Sequence, residues 1–292
     1  MSALSRLKHM AKGLGIDTRA VYQAVSAASL RAALAEQDLS RLVERMREVV
    51  PDISDQYTTR TDPIEFARYW EIKTRGMHAF QIQAIMDALD ALGRDGLTVV
   101  DIGDSSGNHA RYLKELSRPG QIGEVVGVNL DPLAVEKIRA KGGKALLCRA
   151  EELDVAGVQA DLFLLLETLE HFMDPLRFLN KLARQGAADW ILFTVPFQPR
   201  SRFGGSHLRG AVDVDGKMTA EQVHIWELSP EDWGLLARFA GWKPQWTRIY
   251  RQYPRRHPLA VTRPLWRKLD LEGFVAILAR RDFSLTDRYA DW

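Results

Sequence analysis

The sequence predicts an α/β fold in which a mostly parallel sheet is doubly wound, with helices on both faces and a helical extension before it. Three observations carry this. From Leu97 onward, short apolar runs alternate with amphipathic stretches. The runs are apolar at successive positions, as in strands covered on both faces. The connections between them are long enough to hold a helix, which a parallel crossover requires.

The elements follow in order. Residues 1–50 read as helical, because Leu30, Leu34, Leu39, Leu42 and Met46 recur at three- and four-residue spacing. Between Pro51 and Pro63 the period is lost and the chain turns polar, so 52–62 reads as a connector. Helical character resumes at Pro63, a residue suited to a first helical position, and continues through Phe66, Trp70, Met77, Phe80, Ile82, Ile85 and Leu89. Strands are expected over 97–102, 124–130, 144–148, 161–166 and 190–195, with helices over 109–116, 132–140 and 175–182 between them. Right-handed crossovers assemble these into a Rossmann-like core. A Gly- and Arg-containing loop follows from 198 to about 222. Ser229 then reads as the N-cap of a helix, with Glu231 and Asp232 in its first turn and Gly241 past its end. Strands over 245–253 and 273–279 close the pattern.

Composition bounds the function. The chain has 292 residues, 46% hydrophobic and 27% charged, with a net charge of +2. That is a soluble globular balance, and the charge is too small to argue for nucleic acid or a membrane surface. No run of about 18 apolar residues exists to span a bilayer, and the N-terminus has no secretory h-region, so contact with a membrane is at most peripheral. Residues 1–14 have the make-up of a short interfacial helix or of an ordinary lid helix. A single cysteine, Cys148, rules out an internal disulfide framework and makes a reducing cytoplasm the expected compartment. Within Ala145-Leu146-Leu147-Cys148 it reads as a small buried hydrophobe.

The chemistry centres on Asp101-Ile102-Gly103-Asp104-Ser105-Ser106-Gly107, where a strand ends, small residues turn, and a helix begins. Gly103 and Gly107 let backbone approach a ligand in the crevice beyond the strand ends. The spacing matches neither a dinucleotide fingerprint nor a phosphate loop, since the third glycine and the Gly-Lys-Ser/Thr ending are both absent. The next strand ends at Asn129-Leu130-Asp131, within reach of a ribose.

This loop resembles motif I of the class I S-adenosylmethionine-dependent methyltransferases, and Gly127–Pro132 resembles their second strand end. The run Glu167-Thr168-Leu169-Glu170-His171-Phe172-Met173-Asp174-Pro175 resembles the motif after their fourth strand in the small-molecule O-methyltransferase-like branch. The resemblance implies a seven-stranded sheet whose last strand is antiparallel. It also implies a helical extension or lid over 1–75 and a methyltransferase domain over 76–292. Within that domain a cofactor core would span 95–200 and substrate-side elements 198–292. S-adenosylmethionine is the implied cofactor, held by Asp101, Gly103, Asp104, Ser105, Gly107, Asn129, Asp131, Ala150, Glu151 and Glu167. Four positions depart from the family. Ser105 replaces a glycine, and Asp104 a small residue. Asn129 replaces the acid that holds the ribose, with Asp131 as substitute. Arg149 replaces the acid that receives the adenine amine, leaving Glu151 or backbone near Ala150.

Transfer to a hydroxyl is helped by a general base. Histidine is the usual one near neutrality, which makes His171 and His224 the catalytic candidates, while His109 is expected to support the loop. On a helix, Glu167, Glu170 and His171 would share one face. With His224 they are similar to the divalent-metal set of the small-RNA 2′-O-methyltransferases, although many relatives with this run work without metal. The expected acceptor is a hydroxyl, or less favourably an amine, of a small molecule or glycan. Between Trp233 and Leu269 there are nine basic residues, no acidic one and several tryptophans. That composition suits either an anionic acceptor or a solvated basic face over a packing cluster. An RNA methyltransferase with the metal set, or a non-catalytic or NAD-type nucleotide-binding module, are the alternatives.

Overall fold

The structure, a computed structural model, describes residues 17–56, 62–205, 223–264 and 272–289. The expectations placed on 1–14 and on most of the 198–222 loop fall outside those residues, as do Trp266, Arg267 and Lys268. Helix α1 (Thr18–Glu36) starts at Asp17, whose carboxylate caps the amides of Arg19 and Ala20. The predicted N-terminal helix is two helices, because Asp38 takes a left-handed φ of 58° before α2 (Ser40–Val49). At that break Gln37 pairs through its side-chain amide with the backbone of Arg251, 2.8 Å in each direction. After the connector, the turn Pro63–Glu65, capped by Asp62, runs through a π-helical segment, Phe66–Trp70, into α3 (Glu71–Leu92).

The strands are β1 (Leu97–Ile102), β2 (Ile122–Asn129), β3 (Lys144–Leu147), β4 (Leu162–Leu166) and β5 (Trp190–Pro196). Helices α4 (Asn108–Leu116), α5 (Pro132–Ala140) and α6 (Pro175–Gln185) connect them. A two-stranded ribbon, β6 (Arg202–Phe203) with β7 (Trp226–Glu227), stands apart from the main sheet. Then come α7 (Pro230–Phe239), β8 (Trp242–Arg251) and β9 (Gly273–Arg281). The seven-stranded sheet runs β3-β2-β1-β4-β5-β9-β8. Strands β1 to β5 pair in parallel, and β9 is antiparallel to both of its neighbours. The order reverses between β1 and β4, so the crevice that receives ligands in such sheets opens there. Among the described residues, no helix is long and apolar enough to cross a membrane.

Each face of the sheet carries its own core. On one, α1, α2 and α3 (Leu30, Met46, Ile85) pack with Leu97, Val99, Leu164 and Leu278. On the other, Phe178, Leu182, Trp233 and Trp242 from α6, α7 and the start of β8 pack with Val100, Phe163 and Ile277. Strand β3 departs from expectation. It is an edge strand: Ala145 packs against Val135 and Ile138 of α5, whereas Leu146 and Leu147 are 39% and 53% exposed. Cys148 is likewise only half-buried, not a core residue.

Candidate functional site

The loop after β1 is shaped from within. Gly103 has φ +100°, and a Cβ there would lie 2.4 Å from Thr168 Oγ1, so only glycine fits between the ends of β1 and β4. The Thr168 hydroxyl bonds the carbonyls of Ile102 (3.2 Å) and Leu166 (3.1 Å), joining the two strand ends. Asp104 Oδ1 accepts from the amides of Gly107 (2.9 Å) and Ser106 (3.2 Å), which curls the loop over its own carboxylate. Burial first and then the charge of Asp101 push the Asp104 carboxyl up to about 6. Below the loop, His109 Nδ1 is 3.0 Å from Asp101 Oδ2, and Nε2 is 3.3 Å from Gln81 Oε1. Both ring nitrogens thus face acceptors. Burial opposes the charged ring, but the bond and charge of Asp101 outweigh it, and His109 is raised above the ordinary histidine value. His109 supports the loop.

Beyond the strand ends lies a cavity of about 350 Å³, within the range of small-molecule sites. Seven of the ten expected cofactor residues line it: Gly103, Ser105, Asn129, Asp131, Ala150, Glu151 and Glu167. Asp101, Asp104 and Gly107 do not. Asp101 is engaged by His109, Asp104 faces inward to the loop amides, and Gly107 opens α4 with φ +73° against Ile138. Asn129 spends its amide on the fold, donating to Asp104 O (3.0 Å) and accepting from Asp131 N (2.8 Å). Asp131 caps α5 through Leu133 N at 2.9 Å. Leu130, Cys148, Thr168 and Phe172 also line the cavity. Each is adjacent to a residue singled out in the sequence, so neighbourhood at a strand end was the available signal.

The run after β4 does not form the helix that would have aligned its acids. Glu167 leaves the strand at φ +52°, a strained value for a residue with a Cβ, and Leu169–His171 follow as a single 3-10 turn. Glu167 therefore faces the cavity, with its amide held by Thr194 O at 2.9 Å. Glu170 turns into the protein, fully buried, and neither carboxylate oxygen has a hydrogen-bond partner among the described residues. Burial and then the charge of Glu170 hold Glu167 well above the ordinary glutamate value. Burial raises Glu170 too, against the opposing pull of His171 and His224.

The two candidate histidines meet at this turn. His171 lines the cavity, and its Nδ1 donates to Val223 O at 2.7 Å. His224 is outside the cavity lining but stands edge-on to His171, with ring centroids 5.0 Å apart. Ile225 N donates to Glu170 O (2.8 Å) and Trp226 Nε1 to Phe172 O (2.8 Å), which pins the 223–227 segment to the turn. Burial works against a charged His224, yet the bond to Glu227 and the field of Glu170 raise it. Donor atoms of Glu170, His171 and His224 lie within 4.8 Å of one another, a group that does not include Glu167. Asp101, Asp104 and His109 form a second such group beneath the loop.

Among the described residues, the basic, Trp-rich stretch does not converge on the cavity. Trp233 and Trp242 are fully buried in the core. Arg248 pairs with Asp87, Arg251 and Arg263 with Glu272, and Glu36 accepts the amides of Arg255, Arg256 and His257. Asp87 and Glu272, both outside the run, thus pair with Arg248, Arg251 and Arg263.

A family model described as a methyltransferase domain matches residues 100–189. No curated protein matches the chain. Among solved structures, a putative sarcosine dimethylglycine methyltransferase from Galdieria sulphuraria superposes with a TM-score of 0.53 at 14% identity, covering 82% of this chain and 98% of that one. A geranyl diphosphate methyltransferase in complex with S-adenosylmethionine superposes with a TM-score of 0.50 at 15% identity, covering 77% and 93%. These likenesses are of fold. The matched segment contains the loop, the cavity walls and the Glu167–Asp174 turn, so residues 100–189 carry a methyltransferase domain.

Proposed function

We propose that the 350 Å³ cavity holds S-adenosylmethionine and that the methyl group passes to a hydroxyl of a small molecule or glycan. In this reading Gly103 and Ser105 meet the amino-acid part of the cofactor, Asn129 and Asp131 the ribose, and Ala150 and Glu151 the adenine. The observation that carries it is a single cavity walled by both the Gly103–Ser105 loop and the Glu167–Phe172 turn. The sulfonium supplies the reactive methyl, so the protein has to place the acceptor oxygen in line and take its proton. His171 is suited to the second task. Its Nδ1 hydrogen is committed to Val223 O, which leaves Nε2 with a lone pair and, among the described residues, only Glu170 Oε1 near it, 3.8 Å away. Bound there, the sulfonium would supply the methyl group and keep the bonding pair on leaving, and His171 would take the proton of the acceptor hydroxyl. His224, edge-on to His171, would stabilise the charge arrangement around Glu170. Calorimetry with S-adenosylmethionine, S-adenosylhomocysteine and NAD tests the cofactor assignment: the first two are expected to bind and NAD not, and binding of NAD alone defeats it.

One observation favours a second reading of the same turn, and with it the RNA 2′-O-methyltransferase alternative. Glu170 is buried with neither oxygen hydrogen-bonded among the described residues, and His171 and His224 offer nitrogens within 4.8 Å. A carboxylate and two imidazoles would suit a divalent ion, and the Val223 carbonyl and Glu227 carboxylate would orient the rings from behind. A labelled-methyl assay against cell-extract fractions, run with and without a chelator, separates the two. Full activity in the chelator supports the proton-accepting role of His171. Activity lost and restored by a divalent ion supports the metal.

A further inference from the structure

We propose that Gln56, from the connector that precedes α3, is a positioning residue that clamps the cofactor loop and thereby links the N-terminal helices to the affinity of the site. The inference rests on the reading that the cavity takes S-adenosylmethionine. Gln56 is 6% exposed and its carboxamide is occupied at both ends. Nε2 donates to Ser105 Oγ at 2.7 Å. Oε1 accepts from Ser106 Oγ at 2.7 Å and from Asn108 Nδ2 at 2.9 Å. One amide group thus holds three residues of a stretch only four long, and Ser105 is itself part of the cavity wall.

The clamp is anchored on both sides. Upstream, the guanidinium of Arg75, fully buried, donates to Val50 O (2.8 Å) and Pro51 O (2.7 Å). The side chain of Ile53 is fully buried as well. Beside Gln56, Asp55 receives Lys137 Nζ on its carbonyl (2.8 Å) and Lys141 Nζ on its carboxylate (2.7 Å). Lys141 Nζ also reaches Ser106 O (2.6 Å) and Asn108 Oδ1 (3.1 Å), so it bridges connector and loop a second time. The serines at 105 and 106 gain a physical account from this. A loop of glycines would offer Gln56 no hydroxyl to hold, whereas here two hydroxyls replace backbone freedom with a cross-link to a segment about 50 residues away in sequence.

The test compares the wild-type protein with Gln56→Ala, Ser106→Ala and the double variant. By calorimetry, Gln56→Ala is expected to weaken S-adenosylhomocysteine binding about tenfold, because Ser106 Oγ and Asn108 Nδ2 are left buried and unpaired. The double variant is expected to lose no more than the stronger single one, since both remove the same contact. Should Gln56→Ala not fold, Ser106→Ala carries the same expectation at smaller size. In the unliganded protein, amide exchange is expected to quicken at 103–108 and to stay unchanged in β1. Affinity within twofold of wild type overturns the proposal, as does an affinity loss accompanied by faster exchange throughout β1 to β5, which is general loosening. If the wild-type protein binds no S-adenosylhomocysteine, the cofactor reading fails separately, and exchange at 103–108 alone decides the clamp.

Discussion

Asp104 shows how a residue can serve a site without facing it. The residue is 3% exposed, with Oδ1 on two loop amides and Oδ2 without a hydrogen-bond partner among the described residues. Burial and the neighbouring Asp101 raise it from 3.8 to about 6. The sign follows from linkage. A carboxyl that binds its proton more tightly folded than unfolded favours the native state below its unfolded value, and that advantage is lost as pH rises through about 6. At neutral pH the folded protein carries an ionised, poorly solvated Asp104. Replacement by Asn keeps an acceptor for the Gly107 and Ser106 amides and removes the charge. The stability of Asp104→Asn relative to wild type is therefore expected to improve by about 2 kcal/mol between pH 4 and pH 7.5. Denaturant unfolding of both proteins at the two pH values measures it, and a difference that does not change with pH refutes the account.

At the scale of elements, the readable signals were local ones. Three helices begin with a capping residue followed by proline, at Asp131-Pro132, Asp174-Pro175 and Ser229-Pro230. That pairing presets φ and satisfies a free amide, so the helix starts were legible to within a residue. The strands whose side chains are covered on both faces were legible for the same reason, β4 being buried at all five positions. What stayed hidden depends on distant chain. Edge position cannot be read from Leu146 and Leu147, because exposure is decided by what lies beside the strand. The i, i+3, i+4 alignment of Glu167, Glu170 and His171 presumes helical dihedrals. The left-handed φ at Glu167, where the chain leaves β4 tied to Thr194, sends Glu167 and Glu170 in different directions. Gln56 was equally silent, since a polar residue in a polar connector carries no pattern that points to a loop 50 residues on. The seven cavity residues were legible because a parallel sheet delivers its strand ends to one place. The three that miss the cavity were not, because spacing does not report which way a side chain turns.

For the molecule as a whole, the expected division at residue 75 falls inside α3, and the core crosses it. Leu30, Leu34, Val43 and Met46 from α1 and α2 belong to the same buried cluster as Leu97, Leu162, Leu192 and Leu278 of the sheet. Arg75 sharpens the dependence. Its buried guanidinium is satisfied by Glu71 within α3 and by the carbonyls of Val50 and Pro51 from the preceding segment. Removing that segment would strip two acceptors from a buried cation, a loss of several kcal/mol in comparable settings, and would uncover the apolar face of α3 from Ile72 to Leu89. The wild-type protein is therefore expected to unfold in one cooperative transition, with fluorescence and circular dichroism tracing the same curve. A variant beginning at residue 63 is expected to lose its near-ultraviolet signal and bind hydrophobic dye while keeping much of its far-ultraviolet signal, as a chain with secondary structure but no fixed packing does. If that variant instead melts sharply and binds S-adenosylhomocysteine as wild type does, the N-terminal helices are a separable lid, and neither Arg75 nor Gln56 couples them to the methyltransferase core.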